Sequence, residues 1–208
     1  MIKFANRRSA NDASGFSLVE MLVSMTVFLT LLALVSGLMY QSLSTRGRET
    51  RKTDGLTAAQ TALGLISSEV ANSGFGLTNN GLVTSDCNIQ RLHFRTNVQN
   101  SDGTTNAPGE DIVYYYDSRS SSVVRYDRFG TPQTSVVLNR VSNVNFTYYD
   151  FSGSTSTPTE SAVPSANTGR IRATVTVTLE PVSGQPNDSV TFTTDTALRN
   201  SPNQLSRY

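Results

Sequence analysis

The sequence predicts an α+β protein in which a long amino-terminal α-helix packs on an antiparallel β-sheet globular domain. Three observations predict it. A run of apolar residues, GFSLVEMLVSMTVFLTLLALVSGLMY, extends from Gly15 to Tyr40. Apolar residues then recur at a 3,4,3,4 spacing at Leu56, Ala59, Leu63, Ile66 and Val70, the signature of one helical face. Beyond Gly74 the chain breaks into short β-rich runs bounded by Gly, Asn, Asp and Pro. The expected organisation is a leader at 1–15, a membrane or fibre-core helix at 16–40, its amphipathic continuation at 41–72 and a β-rich head at 73–208.

The leader is short and basic, with Lys3, Arg7 and Arg8, and ends in the small residues Ser14 and Gly15. From Phe16 the apolar run is long enough, at about 1.5 Å per residue, to cross a hydrocarbon layer of roughly 30 Å. One formal charge, Glu20, interrupts it. A carboxylate at that depth costs on the order of 3 kcal/mol, so it calls for a partner or a function. Cleavage after Gly15 would make Phe16 the new amino terminus, one helical turn from Glu20. Its ammonium, or that of an adjacent subunit, would then neutralise the carboxylate.

Gly15-Phe16-Ser17-Leu18-Val19-Glu20, followed by the apolar run, resembles the processing signal of type IV prepilins and type II secretion pseudopilins. The resemblance implies that a membrane prepilin peptidase and N-methyltransferase cuts between Gly15 and Phe16 and methylates Phe16. It also implies a type IV pilin-like fold, with Phe16 and Glu20 as assembly residues and other pilin or minor pilin subunits as partners. A weaker similarity runs from Leu65 to Gly76, from Val141 to Asp150 and from Ala197 to Asn200, and is to minor pilins of the PilW type and minor pseudopilins of the J type. A plain secretory signal or single-pass anchor also begins with a basic segment and an apolar run, but Glu20 fits neither well. Charge counting leaves the orientation open, because Arg46, Arg48, Arg51 and Lys52 flank the far side as densely as the leader flanks the near side. The prepilin resemblance implies an inner-membrane single pass with the leader inside and the head in the periplasm, and then a place in the fibre or at its tip.

After Tyr40 the helix is expected to continue, because Gly37, Gly47 and Gly55 each weaken it by only about 1 kcal/mol or less and no proline occurs before Pro108. It should stop at Asn72-Ser73-Gly74, where glycine accepts the left-handed cap conformation. A helix from Phe16 to about Asn72 would be on the order of 85 Å long.

Strands are expected at Arg91 to Thr96, Asp111 to Asp117, Ser122 to Phe129, Thr134 to Leu138 and Val141 to Phe151. The clearest is Arg170 to Glu180, where Ile171, Ala173, Val175, Val177 and Leu179 alternate with Arg172, Thr174, Thr176 and Thr178. Its expected partner, Ser189 to Leu198, follows a turn from Pro181 to Asp188. Asn100 to Glu110 and Ser152 to Thr168 have loop composition.

Chemistry-bearing motifs are scarce, with no hydrolase elbow, phosphate loop, dinucleotide fingerprint or zinc-protease helix. No catalytic set, cofactor or metal is called for. The single histidine, His93, lies in an alternating run and reads as a strand-face residue. Cys87 is the only cysteine, which rules out an internal disulfide and leaves a buried thiol or an intermolecular bridge. Asn100, Ser101, Asp102 and Gly103 with Glu110 and Asp111 offer oxygens suited to calcium, or form a solvated turn. Among the tyrosines, alternation puts Tyr115 and Tyr149 on the exposed side and makes Tyr114, Tyr116 and Tyr148 the candidates for the core. A net charge of +1 indicates no general nucleic-acid binding. The function implied is a minor type IV pilin that primes or caps a fibre. The alternatives are a J-type pseudopilin, a tip adhesin, and an anchored periplasmic enzyme or binding protein.

Overall fold

A computed structural model describes residues 17–99, 103–152, 157–179 and 188–205. The chain divides into two compact units, Met1–Arg48 and Glu49–Tyr208. The first unit, as far as it is described, is the amino-terminal part of one helix, α1 (Leu18–Ala71). Ser36-Gly37 and Gly47 lie inside α1 without interrupting it, since no residue there has to donate from a proline. The leader, Gly15 and Phe16 lie outside the described residues.

The second unit contains the remainder of α1, two four-stranded antiparallel sheets and a short helix, α2 (Pro202–Leu205). The first sheet is a meander of β1 (Arg91–Arg95), β2 (Asp111–Asp117), β3 (Ser122–Asp127) and β4 (Thr134–Leu138). The second contains β5 (Val141–Asp150), β6 (Thr159–Ser161), β7 (Thr168–Thr178) and β8 (Ser189–Ala197), in the order β6-β5-β7-β8. The predicted single sheet is therefore two. β6 was not anticipated, because its Ser/Thr-rich segment becomes a strand only by pairing with Tyr148 to Asp150 of β5. Its remaining neighbours in the loop at 153–156, and the turn at 181–187, lie outside the described residues.

One core serves both sheets. Ala59, Ala62, Leu63, Ile66 and Val70 of α1 join Leu92, Phe94, Ile112, Tyr114 and Val123 of the first sheet and Val144, Phe146, Tyr148, Ile171, Ala173 and Val175 of the second. Leu56 does not belong to it, being 38 % exposed. The inward position at that turn is Gly55, where an added Cβ would stand 3.1 Å from the Leu179 side chain, so little room is left beside the helix there. At the other end, Gly74 has φ +76, as expected for a helix terminator. Arg199 N–H then donates to Ala71 O at 3.1 Å, so the carboxy-terminal segment caps the helix.

The alternation in β7 holds throughout. Ile171, Ala173, Val175, Val177 and Leu179 are buried, and Arg172, Thr174, Thr176 and Thr178 are partly exposed. The tyrosine assignment needs two corrections. Tyr149 is only 3 % exposed, although it points to the outer face, because the Arg170 guanidinium lies 4.0 Å from its ring centroid and Arg172 lies 5.2 Å away. Tyr116 is half-exposed and donates to Val141 O at 3.2 Å. Val175→Asp should unfold the second unit by burying an unpaired carboxylate, a loss of about 4 kcal/mol or more, whereas Thr176→Asp should cost about 1 kcal/mol or less. Urea unfolding followed by circular dichroism measures both, and equal losses would contradict the facing of β7.

Candidate functional site

The segment that carries the sequence signal is the first turn and apolar stretch of α1. The carbonyl of Ser17 accepts the Met21 N–H at 3.1 Å, so the helix is under way at Leu18 and Glu20 sits in its first turn. A carboxylate there faces the unpaired N–H groups and the positive end of the helix dipole, which favour it. All side chains from Leu18 to Tyr40 are exposed, so no part of this apolar surface is covered within the described chain. The hydroxyls that interrupt it turn back on the helix. Ser24 donates to Glu20 O at 2.7 Å, Thr26 to Val23 O at 2.8 Å and Thr30 to Val27 O at 2.8 Å. Those polar groups are satisfied without water, the condition that hydrocarbon surroundings impose. By length and composition α1 is able to cross a membrane.

In the second unit His93 is fixed on β1 between two carboxylates. Its Nδ1 lies 2.8 Å from Asp86 Oδ2 and its Nε2 lies 2.6 Å from Asp111 Oδ1. Arg91 binds Asp86 through two nitrogens, at 2.8 and 3.0 Å, and Arg95 Nε donates to Asp111 Oδ2 at 3.1 Å. The result is a chain of hydrogen bonds and arginine–carboxylate ion pairs that ties the turn at Thr84–Asp86 to β1 and β2. With both ring nitrogens engaged, His93 has none left to exchange a proton with a substrate. Cys87 is buried, its Sγ accepts the His93 N–H at 3.2 Å, and burial pushes its thiol pKa up, the opposite of an activated nucleophile.

The acidic residues considered for calcium are also engaged. Glu110 is fully buried and accepts the Gln99 and Ala107 N–H groups at 2.9 and 3.0 Å, which closes the loop between them. Asp111 belongs to the His93 chain, and Asn100, Ser101 and Asp102 lie outside the described residues. Among the described residues no group of three or more His, Cys, Asp or Glu is placed to hold a metal ion.

A network the sequence reading missed joins α1 to the first sheet. Tyr114 Oη donates to Glu69 Oε2 at 2.6 Å, and Arg125 Nε donates to both Glu69 oxygens at 3.1 and 3.0 Å. Asp127 takes the other side of Arg125 at 3.4 Å and accepts Gly109 N–H at 2.8 Å. Its one sequence signal is an acid, Glu69, lodged between the buried Ile66 and Val70 and needing a cation.

Asp86 gives the second unit a pH signature. Partial burial opposes ionisation of its carboxyl, but hydrogen bonds from Arg91 and His93 outweigh it and hold the pKa below the ordinary 3.8. A depressed folded-state pKa contributes stability that is present above the unfolded value and lost as pH falls through the folded one. Urea unfolding of the full chain in detergent should show stability falling below about pH 4. In Asp86→Asn that fall should be shallower, and an unchanged slope would show that the ion pairs are absent.

A family model described as the prokaryotic N-terminal methylation motif matches residues 10–36. No curated protein and no solved structure matches the chain. The matched residues include Gly15, Phe16 and Glu20 together with the first turns of the exposed apolar helix. The chain thus carries a prokaryotic N-terminal methylation motif that opens onto an exposed apolar helix ahead of antiparallel β-sheets.

Proposed function

We propose that the chain is a minor type IV pilin, a structural subunit that joins a helical fibre and primes or caps its assembly. The observation that carries this reading is Glu20 in the first turn of a helix whose apolar surface is exposed from Leu18 to Tyr40. Such a surface is covered either by lipid or by other helices of its kind, and Glu20 distinguishes the two surroundings. In lipid the carboxylate has only its own chain as partner. In a bundle of helices it reaches the amino terminus of a neighbour, a contact strengthened by the exclusion of water.

The role is structural rather than enzymatic. It accords with the engagement of both His93 nitrogens and with the buried thiol of Cys87. Before assembly the chain spans the inner membrane once with its head outside, as the processing signal implies.

Processing is tested first. Mass spectrometry of the mature chain should find N-methyl-Phe16 at the terminus, and Gly15→Ala should leave the precursor uncut or slowly cut. An intact leader on assembled protein would overturn the assignment.

Assembly is tested at Glu20. Glu20→Leu should insert into the membrane and be cleaved, because the bond after Gly15 is untouched and the charge penalty disappears. It should fail to co-purify with sheared fibres and other subunits, since a neighbour's ammonium loses its buried counter-charge at a cost of roughly 3 to 5 kcal/mol. Recovery at the wild-type level would show that Glu20 serves only the monomer.

A further inference from the structure

The segment from Gly81 to Asn88 runs along the side of β1 that faces away from β2 and takes up its outward main-chain groups. Val83 N–H donates to His93 O at 3.0 Å, Arg95 N–H donates to Gly81 O at 2.8 Å, Leu82 bridges Phe94 and Asn88 bridges Arg91. A sheet edge covered in this way is closed to further strands. The cover has little packing of its own: Leu82 and Val83 are half-exposed, Thr84 and Ser85 are exposed, and no side-chain hydrogen bond caps the turn at Thr84–Asp86. The side chain that clips the turn to β1 is Asp86, through His93 and Arg91.

Each ring nitrogen of His93 faces a carboxylate oxygen, Nδ1 that of Asp86 at 2.8 Å and Nε2 that of Asp111 at 2.6 Å. Both acids are also ion-paired with arginine. Arg91 holds Asp86 at 2.8 Å, Arg95 holds Asp111 at 3.1 Å, and Arg128 stands 3.9 Å from Asp111. These are the charged groups around the ring among the described residues, and they come from the turn, β1, β2 and the segment after β3. Cys87 Sγ, on the main-chain side, is kept a thiol by burial. An ionised carboxylate only accepts and a neutral imidazole has one N–H to give, so two such contacts call for the two N–H groups of an imidazolium.

The two acids differ in what they lose when the ring keeps a single proton. The Asp111 side chain is 4 % exposed, its main chain is fixed in the β1–β2 ladder, and its Oδ2 already takes Arg95, which leaves Oδ1 to His93. The Asp86 side chain is 40 % exposed, stands in a three-residue turn, and keeps Arg91 on both oxygens. A buried acceptor without a donor is costly, whereas an exposed one is met by water. The last proton therefore stays on Nε2, and the contact that fails is the one from Nδ1 to Asp86, where two lone pairs would meet.

We propose that His93 is a pH-operated latch, which as the imidazolium holds the segment from Gly81 to Asn88 over the β1 edge through Asp86, and on losing its Nδ1 proton lets that segment loosen. The contact favours the protonated ring, so its contribution is complete while both nitrogens carry protons and is lost as pH rises through their deprotonation. The Asp86 carboxylate fails in the opposite direction, on acidification, so the cover is held most firmly between the two titrations.

The test is made on the full chain in detergent, with nitrogen-15 in the histidine ring, titrated from about pH 5 to about pH 9, the range in which histidines change charge. His93 is the only histidine, so the ring signals are its own. Both ring nitrogens should read as N–H at the acid end and Nε2 alone at the alkaline end. Amide hydrogen exchange, corrected for base catalysis, should quicken about tenfold at Val83, Asp86 and Arg95 relative to β7, in step with the ring. A ring with one N–H at the acid end, a last proton on Nδ1, or exchange at those amides that does not follow the ring would overturn the proposal. His93→Gln offers one amide donor group and does not titrate, so the same amides should exchange fast at every pH. Persistence of the wild-type pH step in that variant would assign it to another group and overturn the latch. The wild-type titration decides the matter independently of how well His93→Gln folds.

Discussion

Burial of one face of α1, from Ala59 to Val70, is the constraint on which the rest of the second unit depends. The inner faces of both sheets close on that face, so neither sheet has a complete core without it. The small residues Ala59 and Ala62 let the sheets approach, and Leu63, Ile66 and Val70 fill the space that remains. Gly55 marks the limit of the approach, since the Leu179 side chain occupies the position where a larger residue would begin.

Polar groups then fix what the apolar core leaves free to slide. Glu69 is bound by Tyr114 and Arg125, which locks the rotation of α1 against the first sheet. The loop that follows the helix is held by Asn80, whose amide donates to Ser165 O, Ala166 O and Thr168 O at 3.0, 3.2 and 3.2 Å. Asn200 donates to the carbonyls of Gly74, Leu77 and Asn79 from the other side. Buried carbonyls need such donors, and two asparagine side chains supply them where no regular ladder exists. Removing either donor would leave several acceptors unpaired at once, so these asparagines are structural even though they lie in loops.

The amino-terminal part of α1 follows the opposite rule. It keeps its apolar side chains exposed and satisfies its hydroxyls on its own carbonyls, the arrangement required where the surroundings offer no hydrogen bonds. Glu20 is the one group that such surroundings leave costly, and a costly group at a helix start is where a partner's charge has the largest effect.

Local pattern was enough to determine that α1 runs on to just before Asn72-Ser73-Gly74, seven of the eight strands among the described residues and the inward face of β7, because periodicity and turn composition are properties of short segments. The methylation motif was legible for the same reason, since Gly15, Phe16 and Glu20 lie within six consecutive residues of the sequence. What the tertiary structure decided was everything that depends on two distant segments meeting. The division into two sheets, the strand at Thr159–Ser161, the replacement of Leu56 by Gly55 on the inner face and the burial of Tyr149 under Arg170 each follow from a neighbour that spacing does not name. The pairing of Glu69 with Arg125 and the place of β8 at the end of its sheet belong to the same class, because a side chain's partner and a strand's neighbours exist only once the chain has folded.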